Sequence, residues 1–242
     1  YSDKAKSGDW GGWNINGNFS SVWLSVRNPQ GDPTVFPGWS FSVPSWSLAN
    51  EFEAGDPRKY VTLYDAETLL TDYNRAFMNT GYFNRKYMAR ADYQGSGGDP
   101  SHNFPRNHMD IRYADVLLMA AEVWLTDNPG KALGYFNQVR TRALGAAAAK
   151  TSVTLDDIYH ERRVEFGGEG LRKWDLLRRG LDYAGEKINA SFSIPAGTPN
   201  ASDFTPRTFK ADSWGMFPIP AGEIRNMNSG ALKQMVPAYV GL

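Results

Sequence analysis

The 242-residue sequence contains no cysteine, which removes disulfides, thiolate nucleophiles, iron–sulfur clusters and cysteine-based zinc sites together. Stability outside a cell would therefore have to come from packing. No run of 18 apolar residues is present, so no segment has the length to cross a bilayer as a helix. Net charge is lacking too. The 26 Lys and Arg balance 26 Asp and Glu, leaving no electrostatic footprint for nucleic acid or for an anionic membrane surface. The opening residues Tyr1 to Gly8 have neither the basic nor the apolar region of a signal segment, and the expectation is that such a segment lies outside this sequence.

What the sequence has in quantity is aromatic surface. Eight Trp, 12 Tyr and 13 Phe accompany a mean hydropathy of −0.49, more rings than the core of so polar a protein needs. Residues 1–105 are rich in Gly, Pro, Asn, Ser and aromatics, with turn signals at Asp9-Trp10-Gly11, Pro29-Gln30-Gly31-Asp32-Pro33 and Pro37-Gly38-Trp39. They read as long ordered loops with a few short elements. One is a capped helix over 45–53, with Ser45 accepting from first-turn amides and Leu48 and Phe52 on one face, ended by Asp56-Pro57.

From Asp110 the pattern turns helical. Ile111, Ala114, Leu117, Leu118, Ala121 and Leu125 follow helical spacing up to Leu125. Asn128 as N-cap and Pro129 in the first turn open a second helix, with Ala132, Leu133, Phe136, Val139 and Leu144 as its apolar stripe. The short connection makes the two an antiparallel hairpin. Thr154 and Asp157 have capping-box spacing for a third helix carrying Ile158, Glu161, Arg162 and Glu165, ended at Gly167-Gly168. A fourth follows Gly170, with Leu171, Trp174, Leu177 and Leu181 as its buried stripe and Arg172, Asp175, Arg178 and Arg179 on its polar face. After Asn189 loops return, with Phe217-Pro218-Ile219-Pro220 ahead of a short helix over 221–226. Two hairpins are fewer than a helical-repeat array needs to bury its faces, so the chain is expected to be the C-terminal part of a longer protein.

Catalytic signatures are sparse. His160-Glu161 is followed by Arg162-Arg163-Val164, so the second histidine of a helical zinc motif is missing. His102 and His108 flank a loop near Asp110 without a third convergent ligand, and no EF-hand spacing for Ca2+ occurs. Gly167, Gly168 and Gly170 follow a helix rather than a strand, the wrong context for cradling phosphate. No Gly-x-Ser-x-Gly elbow exists. Paired carboxylates for glycoside hydrolysis stay open, because their separation is a property of the fold. Yet the densest acidic cluster, Glu161, Glu165, Glu169 and Asp175, is interleaved with Arg162, Arg163, Arg172, Arg178 and Arg179, which lowers carboxyl pKa values rather than raising one. An ion-pair lattice locking two helices is the better reading. No metal and no cofactor is expected.

A sugar ring offers an apolar C–H face and a rim of hydroxyls, so a glycan site needs flat aromatic platforms beside hydrogen-bonding side chains. Trp10, Trp13, Trp23, Phe36, Trp39 and Trp46 lie in or beside loops with Asn14, Asn16, Asn18 and Asp32. The candidate site is Trp10, Trp13 and Trp39 stacking on sugars, with Asn14, Asn16 and Asp32 binding hydroxyls.

Several motifs of the helical half, in their order, resemble the SusD/RagB family of outer-membrane glycan-binding lipoproteins of Bacteroidetes. They are Arg112-Tyr113-Ala114-Asp115 through Glu122, Phe136-Asn137-Gln138-Val139-Arg140-Thr141-Arg142-Ala143, Glu161-Arg162-Arg163-Val164-Glu165, Glu169-Gly170-Leu171-Arg172-Lys173-Trp174-Asp175-Leu176, and Phe217-Pro218-Ile219-Pro220 with Glu223-Ile224. The resemblance covers roughly residues 44–237 and departs at Gln234-Met235-Val236-Pro237. It implies a mainly α fold, SusD-like: tetratricopeptide-like helical hairpins with long ordered loops and little β structure. It implies a loop-rich aromatic region at 1–105 as the ligand-binding face and a helical region at 106–242, together one domain that lacks its N-terminal helical part. It also implies non-catalytic capture of oligo- or polysaccharide at the outer membrane, facing the exterior, for a SusC-like TonB-dependent transporter. Its partners would be a glycan, that transporter and the missing N-terminal part. The membrane would be reached only through an N-terminal lipid not in this sequence. The alternative is a helical-repeat scaffold that binds a protein partner and no sugar; a glycoside hydrolase is a third reading.

Overall fold

The computed structural model describes residues 20–93, 104–199, 201–205, 208–227 and 230–240. In chain order the helices and strands are α1 (Ser20–Leu24), α2 (Trp46–Ala49), α3 (Arg58–Thr62), β1 (Leu63–Asp65), α4 (Ala66–Leu69), β2 (Tyr82–Asn84), α5 (Tyr113–Trp124), α6 (Pro129–Leu144), α7 (Leu155–Glu165), α8 (Arg172–Arg178), α9 (Leu181–Ala190) and α10 (Ala221–Asn226). The fold is mainly helical, as expected.

The long helices begin where their caps put them. Asn128 Oδ1 accepts from the Lys131 amide at 3.0 Å with Pro129 at the first position of α6, and Thr154 and Asp157 close a reciprocal capping box on α7. Helices α5, α6 and α7 bury one cluster of Ala114, Leu117, Leu118, Ala121, Phe136, Val139, Ile158 and Phe166. Their apolar residues at three- and four-residue spacing face one another, and Leu118, Phe136 and Ile158 are fully buried. Ile111, read as part of that stripe, instead precedes α5 and is exposed.

Two corrections concern the next stretch. The expected fourth helix is two, because Gly180 at φ 114 breaks the chain between α8 and α9. The buried side of α8 is Asp175 and Leu176, while Trp174 lies outside and is exposed. Asp175 is turned inward by its ion pair to Arg162, and of the expected stripe Leu171 packs on the helical core while Trp174 does not.

In the first half, β1 and β2 form an antiparallel pair in the register Leu63↔Asn84, Tyr64↔Phe83 and Asp65↔Tyr82. Beneath it lie Val26, Val35, Tyr64, Ala66, Tyr73, Phe83 and Met88. Ala49, Phe52 and Leu63 pack on Val164 of α7 and join the halves. Helix α2 is shorter than expected, ending at Ala49, and Pro57 caps the start of α3 rather than ending α2.

The charge lattice is larger than two helices. Arg58 binds Asp56 at 2.8 Å, Glu161 at 2.5 Å and Glu165 at 3.3 Å. Arg140 bridges Glu53 at 2.7 Å and Glu161 at 3.3 Å, Arg112 spans Glu165 and Glu169 at 2.9 Å each, and Arg162 holds Asp115 at 2.6 Å and Asp175 at 2.9 Å. Burial pushes the Glu165 carboxyl up, but hydrogen bonds from Arg112 and Arg142 outweigh it and hold the group below the usual carboxylate range. Arg58, Lys86, Arg112 and Arg140 are members that the cluster on 161–179 did not announce, and Arg172 lies outside the lattice.

Candidate functional site

A cavity of about 670 Å³ opens between three segments brought together from distant parts of the chain. Its aromatic walls are Trp39, Phe41, Trp46, Phe77, Phe192 and Phe204, and the serine hydroxyls of residues 40, 42, 45 and 191 with Thr80 and Arg27 supply polar groups among them.

The first wall hangs on the exit of α1. Gly38 N donates to Val26 O at 2.7 Å, Trp39 N to Val22 O at 2.9 Å, Ser40 N to Ser25 O at 2.9 Å and Phe41 N to Trp23 O at 2.7 Å. A Cβ at Gly38 would stand 2.2 Å from Val22 O, so only glycine lets the segment lie this close. The Trp39 carbonyl accepts from Arg27 Nη2 at 3.0 Å. Its ring meets Phe41 edge-on, with centroids 5.8 Å apart. Trp39, Phe41 and Phe77 are exposed, at 36%, 52% and 67%, enough open ring surface for a ligand to stack on.

The second wall starts at α2, where the Ser45 hydroxyl caps the Leu48 amide at 3.3 Å. This sets Trp46 against Phe204 at 4.9 Å between centroids. The third wall, residues 76–80, is pinned at both ends. Tyr73 donates to Glu67 at 2.5 Å and accepts from Asn79 Nδ2 at 2.9 Å, Arg75 pairs with Glu67 at 2.6 Å, and Thr80 donates to Pro44 O at 2.6 Å. Burial and the hydrogen bond to Glu67 push the Tyr73 phenol up to about 12, so it stays protonated as that donor.

Ser40, Ser42 and Met78, all lining the cavity, have φ of 58°, 51° and 55°. For residues with a Cβ the left-handed region costs roughly 1–2 kcal/mol each, and such strain persists where the surroundings over-determine it, often at ligand clamps.

Of the residues singled out in the sequence, Trp39 lines this cavity, as does Trp46 from the wider set of loop aromatics, while Trp23 and Phe36 do not. Trp10, Trp13, Asn14 and Asn16 lie outside the described residues. Asp32 is elsewhere: its Oδ1 accepts from the Thr34 amide at 2.9 Å and hydroxyl at 2.7 Å, and its Oδ2 from the Tyr64 hydroxyl at 2.9 Å. Oδ1 closes the turn on Thr34 and Oδ2 ties that turn to Tyr64 of β1, and Asp32 does not line the cavity. Phe41, Phe77, Phe192 and Phe204 were not anticipated; Phe41 alone carried a local hint, two positions after Trp39.

The histidines are placed as follows. His102 lies outside the described residues. His108 is exposed, 3.6 Å from Asp110, and His160 Nδ1 is 2.9 Å from Glu51, which raises its pKa. Among the described residues no group of three or more His, Asp or Glu side chains is spaced to hold a metal ion.

A family model described as the SusD family matches residues 2–239. The chain is 29% identical to a surface glycan-binding protein A from Bacteroides fluxus, superposing with a TM-score of 0.79 over 98% of this chain and 50% of that one. It is 26% identical to surface glycan-binding protein A from Bacteroides thetaiotaomicron in complex with laminarihexaose, with a TM-score of 0.74 over 97% of this chain and 50% of that one. Among curated relatives, a SusD-like protein P2 from Formosa agariphila is 27% identical over 229 residues, 84% of this chain and 42% of the relative. The chain thus spans about half the length of the proteins it matches.

Proposed function

We propose that this chain, which belongs to the SusD family, binds oligosaccharide at a cell surface without catalysing its cleavage, and that the aromatic cavity under Trp39 is where the sugars sit. The observation that carries the reading is the cavity itself. Exposed aromatic rings line it together with serines, a threonine and one arginine, the chemistry that a ring with apolar faces and a polar rim requires. Similar proteins titled surface glycan-binding, one holding laminarihexaose, support it.

Trp39 is the stacking platform, with Phe41 and Phe77 beside it. Trp10, Trp13, Asn14 and Asn16 belong to the proposal on their sequence alone. Asp32 enters it as the residue that positions the loop preceding Trp39. Regions 1–105 and 106–242 act as one domain, a reading supported by the ion pairs from Arg58 and Glu53 into α6 and α7 and by the cavity's use of both. The remaining half of the protein packs on the outer face of α5, where Tyr113, Val116, Met119 and Val123 are exposed on a helix whose other face is core. At the outer membrane the whole protein would hand sugars to a SusC-like TonB-dependent transporter. Modest affinity per sugar suits such a hand-over: sugars engaged together gain through effective concentration, while each contact stays weak enough to be exchanged one at a time.

The test is intrinsic-fluorescence titration of the complete protein with laminarihexaose and other oligosaccharides, together with a reducing-sugar assay. Saturable quenching without sugar release is the expected outcome. Silence across the panel would shift the reading to a scaffold for a protein partner, and sugar release to a hydrolase.

A further inference from the structure

The aromatic cavity adjoins a second cleft of about 320 Å³, and Ser45 and Ser191 line both. The chemistry changes at that boundary. Arg162, Arg163, Arg172, Lys173 and Lys187 line the second cleft, against one carboxylate, Asp175.

These cations differ in what already holds them. Arg162 is bound to Asp115 and Asp175 at 2.6 and 2.9 Å, Arg163 to Glu51 at 2.6 Å and Lys187 to Glu186 at 2.7 Å. Lys173 stands over the Phe217 ring, 4.4 Å from its centroid. Arg172 is the exception. Among the described residues it has no ion pair, hydrogen bond or aromatic face, although it is half-buried and the partly buried Arg163 exerts the largest charge effect on it. Burial and Arg163 both push its pKa below the usual guanidinium value. Glu51 and Asp175 attract it from a distance without pairing with it; a guanidinium partly withdrawn from water with no carboxylate bound directly to it is unfavourable, and here it lines a cleft. An entering oxyanion would supply what the protein does not, and the planar fork of arginine suits two oxygens of a sulfate or carboxylate.

We propose that Arg172 anchors an oxyanion substituent, a sulfate ester or a uronate carboxylate, on a glycan whose neighbouring sugars stack in the aromatic cavity. This rests on the reading of that cavity as the sugar site and narrows its ligand to acidic polysaccharide. The serines at the boundary lie where a hydroxyl rim would pass from one compartment to the other. The Ser191 hydroxyl donates to Ile188 O at 2.6 Å, which leaves its lone pairs to accept from a sugar.

The experiment is calorimetric titration of the complete protein and of Arg172→Gln with a neutral hexasaccharide, the same hexasaccharide sulfated, an oligouronate of equal length, and inorganic sulfate. The wild type is expected to bind one acidic saccharide at least tenfold more tightly than the neutral one. Arg172→Gln should abolish that preference and leave neutral binding unchanged, and added NaCl should narrow it. Sulfated sugar against oligouronate identifies which oxyanion is taken. Equal binding of neutral and acidic sugars, or a preference that survives Arg172→Gln, overturns the proposal while the glycan reading stands. Inorganic sulfate binding as tightly as the acidic saccharides overturns it too, since the anion then needs no sugar. No binding of any saccharide overturns the glycan reading itself. Removing an unpaired cation should leave the melting temperature of Arg172→Gln at or above that of the wild type. If that variant does not fold, Arg172→Lys, which keeps the charge and loses the fork, should retain neutral binding and lose part of the acidic preference; full retention refutes the role.

Discussion

Arg58 Nη1 donates to Glu161 Oε1 at 2.5 Å across 103 positions of sequence, and both side chains are buried. This pair joins α3 in the aromatic half to α7 in the helical half, and Glu161 also accepts from Arg140 of α6. A carboxylate with no exposed surface is tolerable only when its charge and lone pairs are met. The contact therefore works as a registration device: the aromatic loops can seat on the helices in one way that leaves no buried charge alone.

Glu161→Ala should be destabilising, by up to about 3–5 kcal/mol, because it takes a fully buried carboxylate from Arg58 and Arg140 together and leaves them to Asp56, Glu165 and Glu53 alone. Urea denaturation measures it. Arg58→Met with Glu161→Leu should cost less than the sum of the single substitutions, as expected for partners in one network. Additive losses would show that the pair is not a unit.

At the cavity, Trp39→Ala should weaken oligosaccharide binding about tenfold, from the loss of roughly 1.4 kcal/mol of stacking, while Trp39→Phe, which keeps a ring against Phe41, should lose less of both binding and melting temperature. Gly38→Ala should reduce binding and stability together, since its Cβ collides with Val22 O and displaces the Trp39 segment. Titration calorimetry and thermal denaturation on these variants separate platform from strut.

His160 gives the protein a stability change near neutral pH. The hydrogen bond to Glu51 raises its pKa above 6.5 in spite of burial. A group whose pKa is raised on folding contributes stability that is complete below its unfolded value and lost as pH rises through its folded one. Melting temperatures should therefore fall as pH increases from about 6.5 through the raised value, and His160→Gln should flatten that slope. Glu51 and Glu165 have the opposite sign: both are held below 4.5, so their contribution is present above 4.5 and is lost as pH falls through their depressed values. A His160→Gln profile identical to the wild type would show that the histidine is not the titrating group.

The outer face of α5 should behave as a covered surface in the whole protein. Val123→Glu, at a residue 73% exposed in this chain, should barely alter the melting temperature of the 242-residue chain. In the complete protein it should cost about 1–3 kcal/mol, because a charge enters an apolar interface. An equal, small effect in both would place the remaining half elsewhere.

Much of the helical architecture is legible in the sequence because its determinants are local. Asn128 with Pro129, and Thr154 with Asp157, fix helix starts through bonds spanning three residues. The stripe from Ala114 to Ala121 needs only 3.6-residue periodicity to reveal its buried side. Where periodicity misled, a long-range interaction prevailed. Trp174 reads as core beside Leu171 and Leu177, yet Asp175 is pulled inside by Arg162 and Trp174 turns outward.

The sequence by itself determined a mainly helical, cysteine-free member of a recognisable family, with caps, apolar stripes and a surplus of aromatic rings. Only the tertiary structure decided which rings share a cavity, that Asp32 braces a turn, and that Arg172 lines a cleft without an ion pair among the described residues. The reason is range. Caps and stripes are set by residues three or four apart, whereas Trp39, Phe77 and Phe204 share a cavity, and Arg58 and Glu161 form an ion pair, only after the chain has closed on itself.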